Sequence, residues 1–316
     1  MKLKTLLAAA CFVTAFTSSA FAQYPEKKIE IIVGYAAGGG TDVMARTVAP
    51  FLERYLGDGA TVVVKNVPGA SGQIGVTEVA KAKPDGYTLG TFNLPGMMAR
   101  TLDRNAAYSA DSFTYLANVV DDPNVIVTAK DSEIDTMDKL IKAAKADPGA
   151  VTVGMSSLGG DDHLFLVRLQ EDTGAQFTIA PFKGSAPART AVMGGHVAMG
   201  IFNLSEILGF RDELNVIGLA TKERSSLADD IPTFAEQGYN VVNGSLRGFV
   251  APKGLPDDVR QKLLDAFKKA YDDPEFSKAM VASGNPVNLT LGDDFKALTH
   301  EQYDFAKKVW ETTPWK

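Results

Sequence analysis

The chain has 316 residues, 45% hydrophobic and 22% charged, with 29 glycines and a formal net charge of −6. That length suits one large or two medium domains, and a mildly acidic chain with no basic block argues against nucleic acid or an anionic membrane as a partner. Its one cysteine, Cys11, lies in the N-terminal leader, so a processed chain has no thiol nucleophile, thiolate metal site or disulfide framework.

Lys2 and Lys4 precede an apolar stretch from Leu6 to Phe16, and Ala20-Phe21-Ala22 places small residues at both cleavage-determining positions. This is the layout of a secretory signal peptide over residues 1–22, cleaved after Ala22. The apolar run is shorter than the roughly 20 residues that a spanning helix needs. Lipid attachment at Cys11 is the lesser alternative, because it leaves a very short apolar core before the thiol.

The mature chain opens on a strand at 29–33, followed by helical spacing at Met44, Thr47, Val48, Phe51 and Tyr55. Residues 61–64 read as a second strand, and Val76, Val79 and Ala80 share one helix face. Pro84-Asp85-Gly86 is a turn signal ahead of a third strand at 87–92. Strand and helix alternating in this way favour a parallel sheet with helices on both faces. The rhythm changes at 113–120 and 125–128, two strand-like runs with little helix between them, which suits a crossing between domains. A second α/β series follows, with Met137, Leu140, Ile141 and Ala144 on a helix and strands at 151–154, 177–181, 197–202 and 216–220. A return strand at 248–251 precedes a helix opened by Pro256, whose face is Val259, Leu263, Phe267 and Tyr271. The expected fold is α/β in two domains, 23–123 with 248–316 and 124–247, joined by two crossings around a cleft suited to a small molecule.

The chemistry is expected in the strand-to-helix loops. The first runs Gly34-Tyr35-Ala36-Ala37-Gly38-Gly39-Gly40-Thr41-Asp42. Three consecutive glycines let backbone N–H groups approach a ligand closely, and the helix N-terminus suits a carboxylate. Asp42 caps that helix or touches the ligand. The second loop, Asn66-Val67-Pro68-Gly69-Ala70-Ser71-Gly72, leads into the next helix without the glycine spacing of a dinucleotide site or the lysine of a P-loop. Tyr35 in the first loop, Ser71 in the second and Asn93 at the end of the third strand complete the candidates in this half. The other half offers Ser156, Ser157 and His163, then Lys183 and Ser185, with Asn203 just past a strand end. Adjacent Asp161, Asp162 and His163 enter a helix in different directions, a poor arrangement for a metal. No Gly-x-Ser-x-Gly elbow exists. Neither a cofactor nor a catalytic role is expected.

At these loops the chain resembles the substrate-binding proteins of tripartite tricarboxylate transporters, the Bug family. The resemblance rests on Tyr24-Pro25, Ala37-Gly38-Gly39-Gly40-Thr41-Asp42, Asn66-Val67-Pro68-Gly69-Ala70-Ser71-Gly72 and Lys83-Pro84-Asp85-Gly86-Tyr87-Thr88-Leu89. His163-Leu164, Phe182-Lys183-Gly184-Ser185, Ile231-Pro232-Thr233 and Ala251-Pro252-Lys253-Gly254-Leu255-Pro256 continue it in order. It implies a type II-like Venus flytrap, a periplasmic location, a monomer, and delivery of a carboxylate to a two-subunit membrane permease. It also implies that Gly39, Thr41, Gly69, Ala70 and Gly72 hold one carboxylate, often through water. Ser156, Ser157, His163, Lys183 and Ser185 are then left to read the rest of the ligand. Two departures bear on ligand class. His196 stands after Gly194-Gly195 where relatives often carry an acid, which disfavours an amino-acid ligand. Arg247 stands where many place an aromatic and no charge; it contacts a second carboxylate, favouring a di- or tricarboxylate, or makes a surface salt bridge. The ligand class expected is a di- or tricarboxylate or an aromatic acid. The alternatives to transport are a module signalling to a sensor and an exported hydrolase of carboxylate esters or amides.

Overall fold

The computed structural model describes residues 24–57, 59–156, 158–182 and 184–315. The leader with its cleavage site, Ser157 and Lys183 lie outside the described residues.

Two sheets share one long strand. Strand β1 (Ile29–Val33), β2 (Val62–Asn66) and β3 (Thr88–Leu94) run parallel, with β1 between the other two. Between them come helix α1 (Gly40–Leu56) and helix α2 (Gln73–Lys81), and helix α3 (Gly96–Asp103) follows β3. The shared strand is β4 (Phe113–Ala129). After it come α4 (Met137–Ala146), β5 (Thr152–Met155), α5 (Asp161–Thr173), β6 (Thr178–Pro181), α6 (Ser185–Met193), β7 (Met199–Asn203), the short α7 (Leu204–Ile207) and β8 (Leu214–Leu219). The chain returns through β9 (Gly244–Pro252), then α8 (Asp257–Asp272), α9 (Pro274–Ala282), β10 (Val287–Leu291) and the C-terminal α10 (Gly292–Thr312).

The first lobe has the strand order β2-β1-β3-β9-β4, with β10 on the far side of β4. The second lobe uses the other half of the same strand, β4 pairing β7 and β8 from Asn124 onward, with β5 and β6 beyond β7. Each sheet is covered on both faces. In the first lobe one core packs Ile31, Val33, Met44, Leu52, Phe249 and Phe267, and the opposite face packs Phe92, Met97, Tyr115 and Phe295. In the second lobe, Leu140, Val153, Phe165 and Ile201 pack one face and Val127, Val192, Phe202 and Leu219 the other. Sheets buried on both faces account for the near-continuous apolar runs in these strands.

The two runs at 113–120 and 125–128 are one strand. Asp121-Asp122-Pro123-Asn124 reads as a turn, yet the strand passes straight through it because each polar group finds a partner. Asn118 donates to Asp121 at 2.6 Å, Asp122 is held by Ser205 and Arg247, and the Asn124 N–H donates to the Asn243 carbonyl at 3.0 Å. Among the described residues no helix is long and apolar enough to cross a membrane.

Candidate functional site

A cavity of about 610 Å³ opens between the lobes, at the C-terminal ends of the parallel strands. In α/β sheets this is where ligands bind. From the first lobe Tyr35, Gly39, Gly40 and Thr41 reach it on the β1–α1 loop, Ser71 on the β2–α2 loop, and Asn93, Leu94, Gly96 and Arg100 around the start of α3. From the second lobe come Ser156, Gly160 and Asp161 before and at the start of α5, and Phe182, Gly184 and Ser185 before and at the start of α6. Asn203 ends β7 and Glu206 lies in α7, and Ser245 and Arg247 sit on the returning β9.

The N-terminus of α1 points at this space. Its Ncap is Gly39, which has no side chain to cap with, so first-turn N–H groups stay available for an anion. Thr41 is fixed by Asn93, whose amide donates to Thr41 Oγ1 at 2.8 Å, while Asn93 Oδ1 lies buried with no protein partner. The Arg247 guanidinium closes the same corner: a Cβ built on Gly40 falls 2.9 Å from Arg247 Nη1.

Asp42 stands apart from the cavity lining, and α1 begins before it, so it is neither a wall residue nor the Ncap. Its carboxylate instead accepts from the Gly38 N–H at 2.8 Å, from Arg46 Nε at 3.0 Å and from Asn66 Nδ2 at 2.8 Å, tying the first loop to the second. Burial alone raises its pKa, but the hydrogen bonds from Arg46, Gly38 and Asn66 outweigh that and hold the carboxyl below its ordinary value.

Gly69, Ala70 and Gly72 also lie off the wall, because the second loop uses them for its own path. All of Gly69, Ala70, Ser71 and Gly72 have positive φ, between 46° and 139°. Gly72 is buried behind Tyr35: a Cβ there falls 2.3 Å from Met97 Cε and 3.1 Å from the Tyr35 ring. Ala70 faces solvent, and Gly69 sits against Ile74. Only Ser71 of this loop reaches the cavity.

Adjacent Asp161, Asp162 and His163 diverge as helix geometry requires. Asp161 faces the cavity, accepting through Oδ2 from Asn124 at 2.9 Å and Asn203 at 2.8 Å. Asp162 turns back to accept from the Ser156 N–H at 2.7 Å and the Ser156 hydroxyl at 2.9 Å. Burial, then the nearby Asp161 charge, push its pKa up to about 7. His163 is not on the wall. It packs edge-on against Trp315, ring centroids 5.5 Å apart, and its Nδ1 accepts from the Gly159 N–H at 3.2 Å. Burial lowers its pKa to about 4, so the ring is neutral. Among the described residues no cluster of His, Cys, Asp and Glu could hold a metal ion.

Arg247 is not a surface residue, which overturns one of the two readings left open for it. It is 4% exposed and pairs with the fully buried Asp122, Nη2 to Oδ2, at 2.7 Å. Sequence reasoning missed Glu206, Asp161 and Arg100. The signal for Glu206 was present: Asn203 and Glu206 form a reciprocal capping box at α7, and Glu206 Oε1 accepts from the Ser185 hydroxyl at 2.6 Å. Burial raises the Glu206 pKa. His196 is exposed in the turn after α6, so the position searched for an acid is not a cavity position.

Two α/β lobes joined by a shared strand around a polar cleft define a solute-binding protein of the periplasmic type. Residues 44–312 match the tripartite tricarboxylate transporter family receptor, and the chain belongs to that family. It is 34% identical to Protein BugT of Bordetella pertussis over 296 residues, 92% of this chain and 90% of that one. A TctC solute-binding protein from Polaromonas superposes with a TM-score of 0.77 at 28% identity, covering 92% of this chain and 99% of the other. An R. palustris protein solved with adipate superposes with a TM-score of 0.80 at 26% identity, covering 92% and 98%.

Proposed function

We propose that the protein captures a small organic carboxylate in the interlobe cavity and delivers it from the periplasm to a two-subunit membrane permease, without chemical turnover. In this reading the lobes are 23–123 with 248–316, and 124–247, and the leader 1–22 exports the chain as a monomer. The observation that carries it is the open N-terminus of α1 beside Arg247 at one end of the cavity. Hydrogen bonds to a charged group contribute about 1.5–3 kcal/mol each, and a partly buried helix end up to about 2 kcal/mol. A few of these suffice for micromolar binding of one carboxylate, about −8 kcal/mol. The adipate found in the R. palustris protein supports the same class of ligand. Ser71, Thr41 and Asn93 are assigned to the carboxylate end, and Ser156, Ser157, Lys183, Ser185 and Asn203 to the remainder of the ligand.

A thermal-shift screen against a panel of mono-, di- and tricarboxylates, aromatic acids and amino acids tests this. A true ligand at one hundred times its Kd stabilises the fold by about 2.7 kcal/mol. Silence across the whole panel removes the proposal.

A further inference from the structure

We propose that Asp42, Arg46 and Asn66, none of which lines the cavity, are the positioning residues of the carboxylate site, holding the glycine run of the β1–α1 loop in its binding shape before any ligand arrives. This rests on the carboxylate reading above and adds to it. The loop has no side chains of its own to fix the amides it offers. Gly38, Gly39 and Gly40 are exposed, Gly38 has φ of 83°, and the Gly39 N–H reaches the Ala36 carbonyl only at 3.5 Å. A free run of three glycines samples many backbone shapes, and freezing it at the moment of binding would cost affinity.

The three side chains form a closed ring. Arg46 donates through Nε to Asp42 Oδ1 at 3.0 Å and through Nη2 to Asn66 Oδ1 at 2.8 Å, and Asn66 Nδ2 donates to Asp42 Oδ1 at 2.8 Å. The ring grips the loop at two points. Asp42 Oδ2 accepts from the Gly38 N–H at 2.8 Å, and Asn66 Nδ2 donates to the Tyr35 carbonyl at 3.0 Å. Asp42 and Arg46 anchor it to α1 as an i,i+4 pair, and Asn66 anchors it to the last residue of β2. Tyr35, Gly39, Gly40 and Thr41, which do line the cavity, sit at or just beyond those two points. Arg46 has an electrostatic part as well. Asp42 lies in the first turn of α1, where its charge would repel an incoming carboxylate, and the guanidinium beside it offsets that charge. Lysine cannot substitute, because only a planar fork reaches both partners at once.

The test joins titration calorimetry, with acetate, succinate, adipate, citrate and benzoate as probes, to hydrogen exchange of amides 35–40 in the ligand-free protein. Arg46→Ala and Asn66→Ala are each expected to weaken the parent's tightest probe about tenfold or more and to speed exchange in the loop. Their ligand-free Tm should stay close to that of Arg54→Ala, since half-exposed ion pairs add little to stability. Arg54 pairs with Asp273 and Glu275 further along the same helix, so its loss should leave affinity and loop exchange at parent values. Arg46→Lys, which keeps the charge and loses the fork, should recover only part of the affinity and leave exchange fast. An Arg46→Ala protein that binds as tightly as the parent overturns the inference and leaves the carboxylate reading intact, as does a weakened one whose loop exchanges no faster. A parent that binds no probe sinks this inference together with that reading.

Discussion

Arg247 on β9 and Asp122 on β4 meet at 2.7 Å where the two lobes join, one 4% and the other 0% exposed. They lie on neighbouring antiparallel strands, Asp122 opposite Ser245 and Arg247 opposite Val120, so the pair clamps the crossing diagonally. Ser205 adds hydrogen bonds to both Asp122 oxygens. Removing one member of such a pair strands the other charge in the interior, at a cost of about 3–5 kcal/mol. Urea unfolding of Arg247→Met and of Asp122→Leu is therefore expected to show losses of that size. The double variant should lose clearly less than the two together, since no orphaned charge remains. Additive losses would show that the two residues act independently.

The same pair explains why part of the fold was hard to read. Strands β1 and β3 announce themselves through apolar runs and the Pro84-Asp85-Gly86 turn. Nothing local marks 121–124 as strand, because the group that neutralises Asp122 arrives from far along the chain. Glycine gave a mixed signal for a physical reason. Gly39 and Gly40 open a helix end to the cleft, whereas Gly72 and Gly34 exist so that two backbones can touch: a Cβ on Gly34 falls 2.7 Å from the Gly72 carbonyl oxygen. Glu206 escaped because an acid in a helix first turn reads as a cap, and it is one, while also facing the cavity.

Gly40 and Gly72 separate binding from folding. A methyl group at Gly40 enters the cavity corner 2.9 Å from Arg247 Nη1, and Arg247 is pinned by Asp122. Gly40→Ala is expected to weaken carboxylate binding about tenfold or more, about 1.4 kcal/mol, with little change in Tm. Gly72 has φ of 93° and a Cβ there meets Met97 Cε at 2.3 Å, so Gly72→Ala strains both backbone and core. Overpacking of this kind costs about 1–3 kcal/mol. Calorimetry paired with thermal unfolding checks both; a destabilised Gly40→Ala with normal affinity would reverse the assignment.

His163 and Asp162 give opposite pH slopes over overlapping ranges. His163 is neutral in the fold with its pKa lowered from 6.5 to about 4, so the unfolded chain takes up a proton first as the pH falls. Its contribution is full above pH 6.5 and is lost toward pH 4, up to about 3 kcal/mol. Asp162 is raised from 3.8 to about 7, so the fold keeps a proton that the unfolded chain has released. Its contribution is full below pH 3.8 and is lost as the pH rises to 7. The two offset each other in the wild type. His163→Gln should unmask the Asp162 slope, stability falling more steeply from pH 4.5 to pH 7 than in the parent. Parallel curves for variant and parent would show that His163 is not buried in its neutral form.

Trp315 ties the lobes together again, beyond the shared strand β4 and the returning β9. It is 4% exposed and packs with Ala99 of α3, Leu164 and Val167 of α5, and Ala306 and Val309 of α10. Its ring also meets His163 edge-on and blocks any side chain at Gly159, where a Cβ would fall 2.6 Å from Nε1. Truncating a buried aromatic costs about 3–5 kcal/mol, so Trp315→Ala should lower stability by that order in denaturant unfolding. The loop it braces carries Ser156 and Gly160 of the cavity wall, so affinity should fall as well. Trp315→Phe retains most of the contact and should recover much of both losses. If Trp315→Ala lost stability but bound ligand as tightly as the parent, the brace would serve the α3–α5–α10 packing alone, and the loop would hold its shape through Asp162 and Ser156.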